Sequence, residues 1–446
     1  MSRITVRNGL VSVFVLGMAM SGGEVSAQAP PDGQLTVAFD ASIASSFLDP
    51  AQTTGLATPF VFLYALHDAL AKPLPGNDMA PCLAESWRES ADGLTYEFKL
   101  RESLKFHNGD PFTAEDVKFS FQRYRGVAAK LLHDRVKAVE VLDPHRVRFV
   151  LGAPWPDFLS FYATIATGAA WVVPKKYIEK VGEEGFRRQP VGLGPYRFVG
   201  ATPGVELVLE ANEQYWRKKP SIKRVIIKGV PDRSTRLAML KTGEADIGYL
   251  MIGVEAVAVT NDPKLRLVQT IPPASWWVDF PEQWKPSSPW HDRRVRLAAN
   301  LAIDRQGINE AERMGFSRLT GSIIPSVMEF ALRLQPPPYD PPQGKRLLAE
   351  AGYPNGFDAG DITPLPPFTT MGEAVANNLA AVGIRGRVRS LERAAFMDSW
   401  RAKKLSGVIV AVTGTGGNAA ARLEAFVISS APYAYGGYPD IDDLFV

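Results

Sequence analysis

The 446-residue chain predicts an α/β protein of more than one domain. Two observations lead there. A single hydrophobic core seldom supports a chain this long. Segments with a period of two, which suits half-buried strands, also alternate with segments whose apolar residues recur at helical spacing. Hydrophobic content of 46% with 22% charged residues is ordinary for a soluble globular chain.

The N-terminus speaks to compartment. Arg3 and Arg7 precede an apolar run from Leu10 to Met20, and Val25-Ser26-Ala27 supplies the small residues of a cleavage site. That pattern predicts a secretory signal peptide over residues 1–27, too short to span a bilayer. Cleavage is expected after Ala27. No cysteine lies there for lipid attachment, so the mature protein is expected to be free in the periplasm. Removing the leader leaves 48 basic and 46 acidic residues. So even a balance, with no basic run, gives no reason to expect a nucleic-acid partner. Cys82 is the only cysteine, which excludes an internal disulfide, and it reads as a small buried hydrophobe.

In chain order, Gln34 to Phe39 reads as a first strand, Phe47-Leu48-Asp49-Pro50 as a loop, and Thr58 to Leu70 as a buried helix. Leu94, Tyr96, Phe98 and Leu100 alternate with polar residues and predict a strand. Asn108-Gly109-Asp110-Pro111 is a turn, and Thr113 can cap a following helix with Asp116 as its capping-box partner. Val117, Ser120, Phe121 and Tyr124 mark the buried face. Val136 to Leu142 and Val147 to Leu151 predict a hairpin around Asp143-Pro144-His145. Gly192-Leu193-Gly194-Pro195-Tyr196 reads as a tight turn into a strand, since no helix follows to cradle a phosphate. Ser221 to Val230 predicts a strand, and Ser234 to Leu240 a helix closed by Gly243 before a strand at Ile247. Asp292 can cap a helix whose buried face is Val295, Ala298, Ala299 and Ala302. Pro336-Pro337-Pro338 and the stretch from Pro364 to Pro367 read as stiff connectors.

Several of these stretches carry a resemblance. Ala84-Glu85-Ser86-Trp87, Asp92-Gly93-Leu94-Thr95-Tyr96 and the run from Leu104 to Val117 are similar to family 5 of the extracellular solute-binding proteins. Gly192 to Tyr196, Asn212 to Trp216, Leu240 to Ile247, Val295 to Arg305 and Leu347 to Tyr353 continue the match. The family comprises peptide, nickel and opine receptors of ABC importers. The resemblance implies a two-lobed periplasmic binding protein of type II, cluster C-like, with mixed sheets flanked by helices and a ligand cleft between the lobes. It places the first lobe's core in residues 28–75 and 190–274, a subdomain in 76–189 and the second lobe in 275–446. It makes Asn212 to Trp216 a short helix. From Tyr438 the chain resembles the point where family members enter their final helices, which are expected to be missing here. The implied partners are a small-molecule solute and an inner-membrane ABC permease, with the receptor acting as a monomer.

Little in the chain suggests catalysis. His67, His107, His133, His145 and His291 lack the spacing that places two ligands on one metal. No Gly-x-Ser-x-Gly elbow, His-Glu-x-x-His helix or Walker loop occurs, so no cofactor, metal or catalytic residue is expected. Ligand contacts are sought instead in Phe47, Trp276, Trp277, Thr413, Gly416, Asn418 and Arg422. Phe47 faces either ligand or core. Trp276 and Trp277, in a loop after Pro272-Pro273, point to opposite faces if the backbone is extended, one inward and one toward the cleft. The family's peptide receptors hold the ligand's amino group with an aspartate after the strand matching Gly407 to Val412. This chain has no acidic residue there before Glu424. Thr413 to Asn418 is instead a Gly-rich loop with exposed N–H groups, and Arg422 adds a positive fork, an arrangement suited to an anionic or neutral polar ligand. The alternative is a tight turn with Arg422 at the surface. The expected function is binding of a peptide-like or opine-like solute by lobe closure. A nickel-type metal or metal-chelate receptor is the alternative, and an exported hydrolase a third reading.

Overall fold

A computed structural model describes residues 30–52, 60–126, 128–163, 168–270, 274–328, 330–414 and 419–445. Its strands fall into four sheets, with helices packed on them. The first has five strands in the order Ile247–Gly248, Asp32–Phe39, Ile222–Gly229, Glu206–Ala211, Tyr196–Thr202. Its first three strands run parallel, so their carboxyl ends share one edge. The second is antiparallel, in the order Ala84–Glu89, Thr95–Leu100, Arg146–Leu151, Val136–Asp143. A two-stranded ribbon, Ala71–Leu74 with Asn77–Pro81, lies between them in sequence. The fourth belongs to the second lobe, in the order Ala274–Asp279, Val408–Gly414, Phe357–Pro364, Ile384–Val388. There Phe357–Pro364 runs parallel to both of its neighbours.

The expected strands and caps form for the expected reasons. Tyr96, Phe98 and Leu100 are buried on one face of Thr95–Leu100. The backbone N–H of Thr113 donates to Asp116 Oδ2 at 2.9 Å, closing the capping box of Ala114–Arg123. Asp232 accepts from Thr235 N–H at the start of Arg233–Thr242, and Gly243 ends that helix in the left-handed region. Asp292 accepts from Arg294 N–H at the start of Arg293–Ala302, whose Val295, Ala298, Ala299 and Ala302 are all buried.

Three expectations need correction. The buried helix described as Phe60–Leu66 stops short of Leu70, because Gly192 and Gly194 press on its end. A Cβ at Gly192 would lie 1.9 Å from the Leu66 carbonyl oxygen, so these glycines permit close backbone approach as well as a turn. Asn212 to Trp216 is a turn rather than a helix. Asn212 Oδ1 accepts from Gln214 N–H, and buried Asp68 accepts from Tyr215 Oη–H and Trp216 Nε1–H. Trp276 and Trp277 lie in a strand, not a loop.

A buried ion pair ties the first sheet's loops to the antiparallel subdomain. Arg123 donates bidentately to Asp49 at 2.7 and 2.5 Å, and also reaches Glu183. Cys82 is fully buried, and burial pushes its thiol up to about 12, which leaves it inert.

Candidate ligand cleft

Ligands of α/β sheets bind outside the carboxyl ends of parallel strands. In the first lobe that edge ends in Asp40, directly after Phe39, and in Tyr249, after Gly248. In the second lobe it ends in Pro364 and Gly414. The two edges face each other. Asp40 Oδ2 lies 3.6 Å from Arg393 Nη1, and Arg393 also donates to the Pro366 carbonyl at 3.2 Å. Among the described residues this is the ion pair that joins the two lobes. Burial holds Asp40 above the usual carboxylate range, with Arg393 and Arg236 pulling it back. Its Oδ1 is buried without a hydrogen-bond partner. Glu424 of the second lobe is likewise raised by burial and drawn down by Arg135 of the subdomain.

Arg422 occupies the second lobe's edge from below. Its Nη1 donates to the Thr413 carbonyl at 2.9 Å and to Thr413 Oγ1 at 2.6 Å, and its Nε donates to the Ile323 carbonyl at 3.0 Å. The guanidinium lies between the Trp277 and Phe426 rings, 4.7 and 4.6 Å from their centroids. It is 0% exposed, and Nη2 has no partner. Among the described residues no carboxylate pairs with it, and burial pulls it down to about 9. The reading that put Arg422 at the surface is therefore overturned.

The other expected contacts distribute unevenly. Trp276 packs edge-on against Phe368 at 4.8 Å, while Trp277 meets Trp400 and Phe426 on the opposite face. They do point to opposite sides, yet each side is an apolar cluster of the second lobe. Phe47 stacks on Phe62 at 5.8 Å, partly buried against the first lobe's core. Thr413 is joined to Arg422 and pairs with Ser275 across the strands. Gly416 and Asn418 lie outside the described residues. Asp40 and Arg393 were not anticipated. Asp40 carried a signal, a charged residue at the exit of a strand; Arg393 carried none.

A separate cavity of about 210 Å³ in the first lobe is lined by Lys105, His107, Arg197, Asn212 and Trp216, away from the facing edges. His107 uses both ring nitrogens there, Nε2 toward the Gly194 carbonyl and Nδ1 toward Gly192 N–H, and burial lowers it to about 4. Among the described residues no three His, Cys, Asp or Glu side chains are grouped to hold a metal ion.

Two α/β lobes with facing carboxyl edges are the architecture of binding proteins that shut on a solute. Residues 78–433 match the family described as bacterial extracellular solute-binding proteins, family 5. The chain belongs to that family. This family 5 protein is 30% identical over 373 residues to heme-binding protein A of Haemophilus influenzae, covering 76% of this chain and 67% of that one. It is 29% identical to the glutathione-binding protein GsiB of Escherichia coli O1:K1, covering 93% and 80%. Among solved structures it is similar to MoaA of A. tumefaciens R10 in complex with mannopinic acid. The TM-score is 0.79 and the identity 27%, with 94% of this chain and 86% of that one covered. The family is one of solute-binding receptors, and this member has the type II two-lobed fold. No helix among the described residues is long and apolar enough to cross a membrane.

Proposed function

We propose that this family 5 receptor binds a peptide-like or opine-like solute with an anionic group, and passes it unaltered to an inner-membrane ABC permease. The observation that carries the reading is Arg422, a buried cation beneath the cleft edge with one N–H group unused and no carboxylate beside it. An isolated buried charge costs several kcal/mol, and an anion brought within reach of the guanidinium relieves that cost. Glutathione and mannopinic acid, named for two of the relatives above, are both carboxylates. Thr413, bonded to Arg422, is the proposed polar neighbour of the ligand, while Trp276, Trp277 and Phe47 shape the site through the apolar clusters behind it. The proposed lobes are residues 28–75 with 190–274, carrying the subdomain 76–189, and residues 275–446. Export by the leader over residues 1–27 delivers a periplasmic monomer.

Mass spectrometry of small molecules released from purified, denatured protein tests the proposal. A carboxylate of peptide or opine type is expected. Release of a metal chelate or a neutral sugar alone contradicts it.

A further inference from the structure

The geometry points to Asp40 and Arg393 as a charge-selecting pair that holds the ammonium and the carboxylate of a zwitterionic ligand, one from each lobe. This deepens the receptor reading above and rests on it.

The pair is poorly satisfied by itself. At 3.6 Å the two groups attract, yet Asp40 Oδ1 has no hydrogen-bond partner although the side chain is only 5% exposed. Arg393 spends Nη1 on the Pro366 carbonyl, and a guanidinium carries five N–H donors in all. A guanidinium fork matches a carboxylate with two parallel bonds, and an ammonium satisfies a desolvated carboxylate better than a neutral donor. Behind Asp40, Arg236 donates to the Val230, Pro231 and Leu250 carbonyls, while its own Nε is unpartnered. Burial raises the Asp40 carboxyl, and Arg236 adds to the pull of Arg393 in the opposite direction. Tyr249 stands beside both groups and leans on the Phe39 ring at 5.2 Å, giving the site an aromatic wall.

Placement gives the pair its effect. Asp40 follows the carboxyl end of a first-lobe strand, and Arg393 opens the second-lobe helix Arg393–Arg401. A ligand that contacts both gains those bonds only when the lobes are shut, which is the differential affinity that closure requires. A ligand lacking either charge leaves one desolvated partner unpaired and is rejected.

Titration calorimetry on the full chain tests this with alanylalanine, glutathione and octopine as zwitterionic probes, and maltose and succinate as neutral and purely anionic ones. Wild type, D40N and R393Q are compared, then the N-acetyl and carboxyl-amide analogues of the probe that binds. Loss of either charge-assisted bond is expected to weaken a zwitterionic probe by about tenfold to a hundredfold. The N-acetyl analogue is expected to bind wild type and D40N alike, and the amide to bind wild type and R393Q alike. Arg393 is partly exposed, so R393Q keeps the test decisive if D40N fails to fold. Unchanged affinity in the variants, or equal losses for blocked and unblocked probes, overturns the assignment while leaving a receptor. Binding of maltose or succinate in place of every zwitterion does the same. Silence from all five probes, with no small molecule released on denaturation, overturns the receptor itself.

Discussion

The Arg422 guanidinium lies 4.7 Å from the centroid of the Trp277 ring, inside the second lobe and without a carboxylate partner among the described residues. A stacked cation held only by two carbonyls and a hydroxyl costs stability, which is the expected condition of a group kept for an incoming anion. Arg422→Met keeps the volume and removes the charge. Relief of desolvation then offsets the orphaned Thr413 and Ile323 carbonyls, so stability should stay within about 2 kcal/mol of wild type. Affinity for a carboxylate probe should fall tenfold or more. Thermal melts with calorimetry separate the two effects.

Arg123 and Asp49 form the buried link between the first sheet's loops and the subdomain. Removing Asp49 takes away both buried carboxylate bonds of Arg123 and leaves it only the partly exposed Glu183. Asp49→Ala should cost about 3–5 kcal/mol, read as a shifted urea midpoint with little change in slope.

Gly192 is required by space. A Cβ there would overlap the Leu66 carbonyl at 1.9 Å. Gly192→Ala should destabilise by about 3 kcal/mol or more, beyond ordinary overpacking, because backbone rather than a side chain must move. Gly204→Ala is a useful contrast, since its Cβ would meet nothing within 4 Å and its positive φ alone makes the change unfavourable.

Burial pushes Asp279 up to about 6, with its backbone contact at Phe280 and the nearby Lys403 pulling it down. The folded protein thus favours the neutral carboxyl. That contribution is complete below about pH 4, the ordinary value of the unfolded chain, and is lost as pH rises through 6. Asp279→Asn should therefore melt higher than wild type at pH 7.5 and equal to it at pH 4. Melting points across that range check the sign.

Local structure was legible where one short stretch contained its own cause. The alternation of Tyr96, Phe98 and Leu100, the Thr113–Asp116 capping box and the Gly243 cap needed only neighbours a few residues away. Errors arose where a distant segment decided the outcome. The helix ending at Leu66 is cut short by glycines more than a hundred residues later, and the turn at Asn212 is pinned by Asp68. At the site, Arg422 was noticed as a residue type, but only packing shows that it is buried between Trp277 and Phe426. The Asp40–Arg393 contact exists because two sheets bring their edges together, and no local pattern encodes it.

Small-angle scattering of the full chain, with and without a zwitterionic or anionic probe that binds, tests the closing cleft most directly. The radius of gyration should fall on binding, as an open population shifts to the shut form joined by Asp40 and Arg393. A curve that stays the same while calorimetry reports saturation would contradict the account.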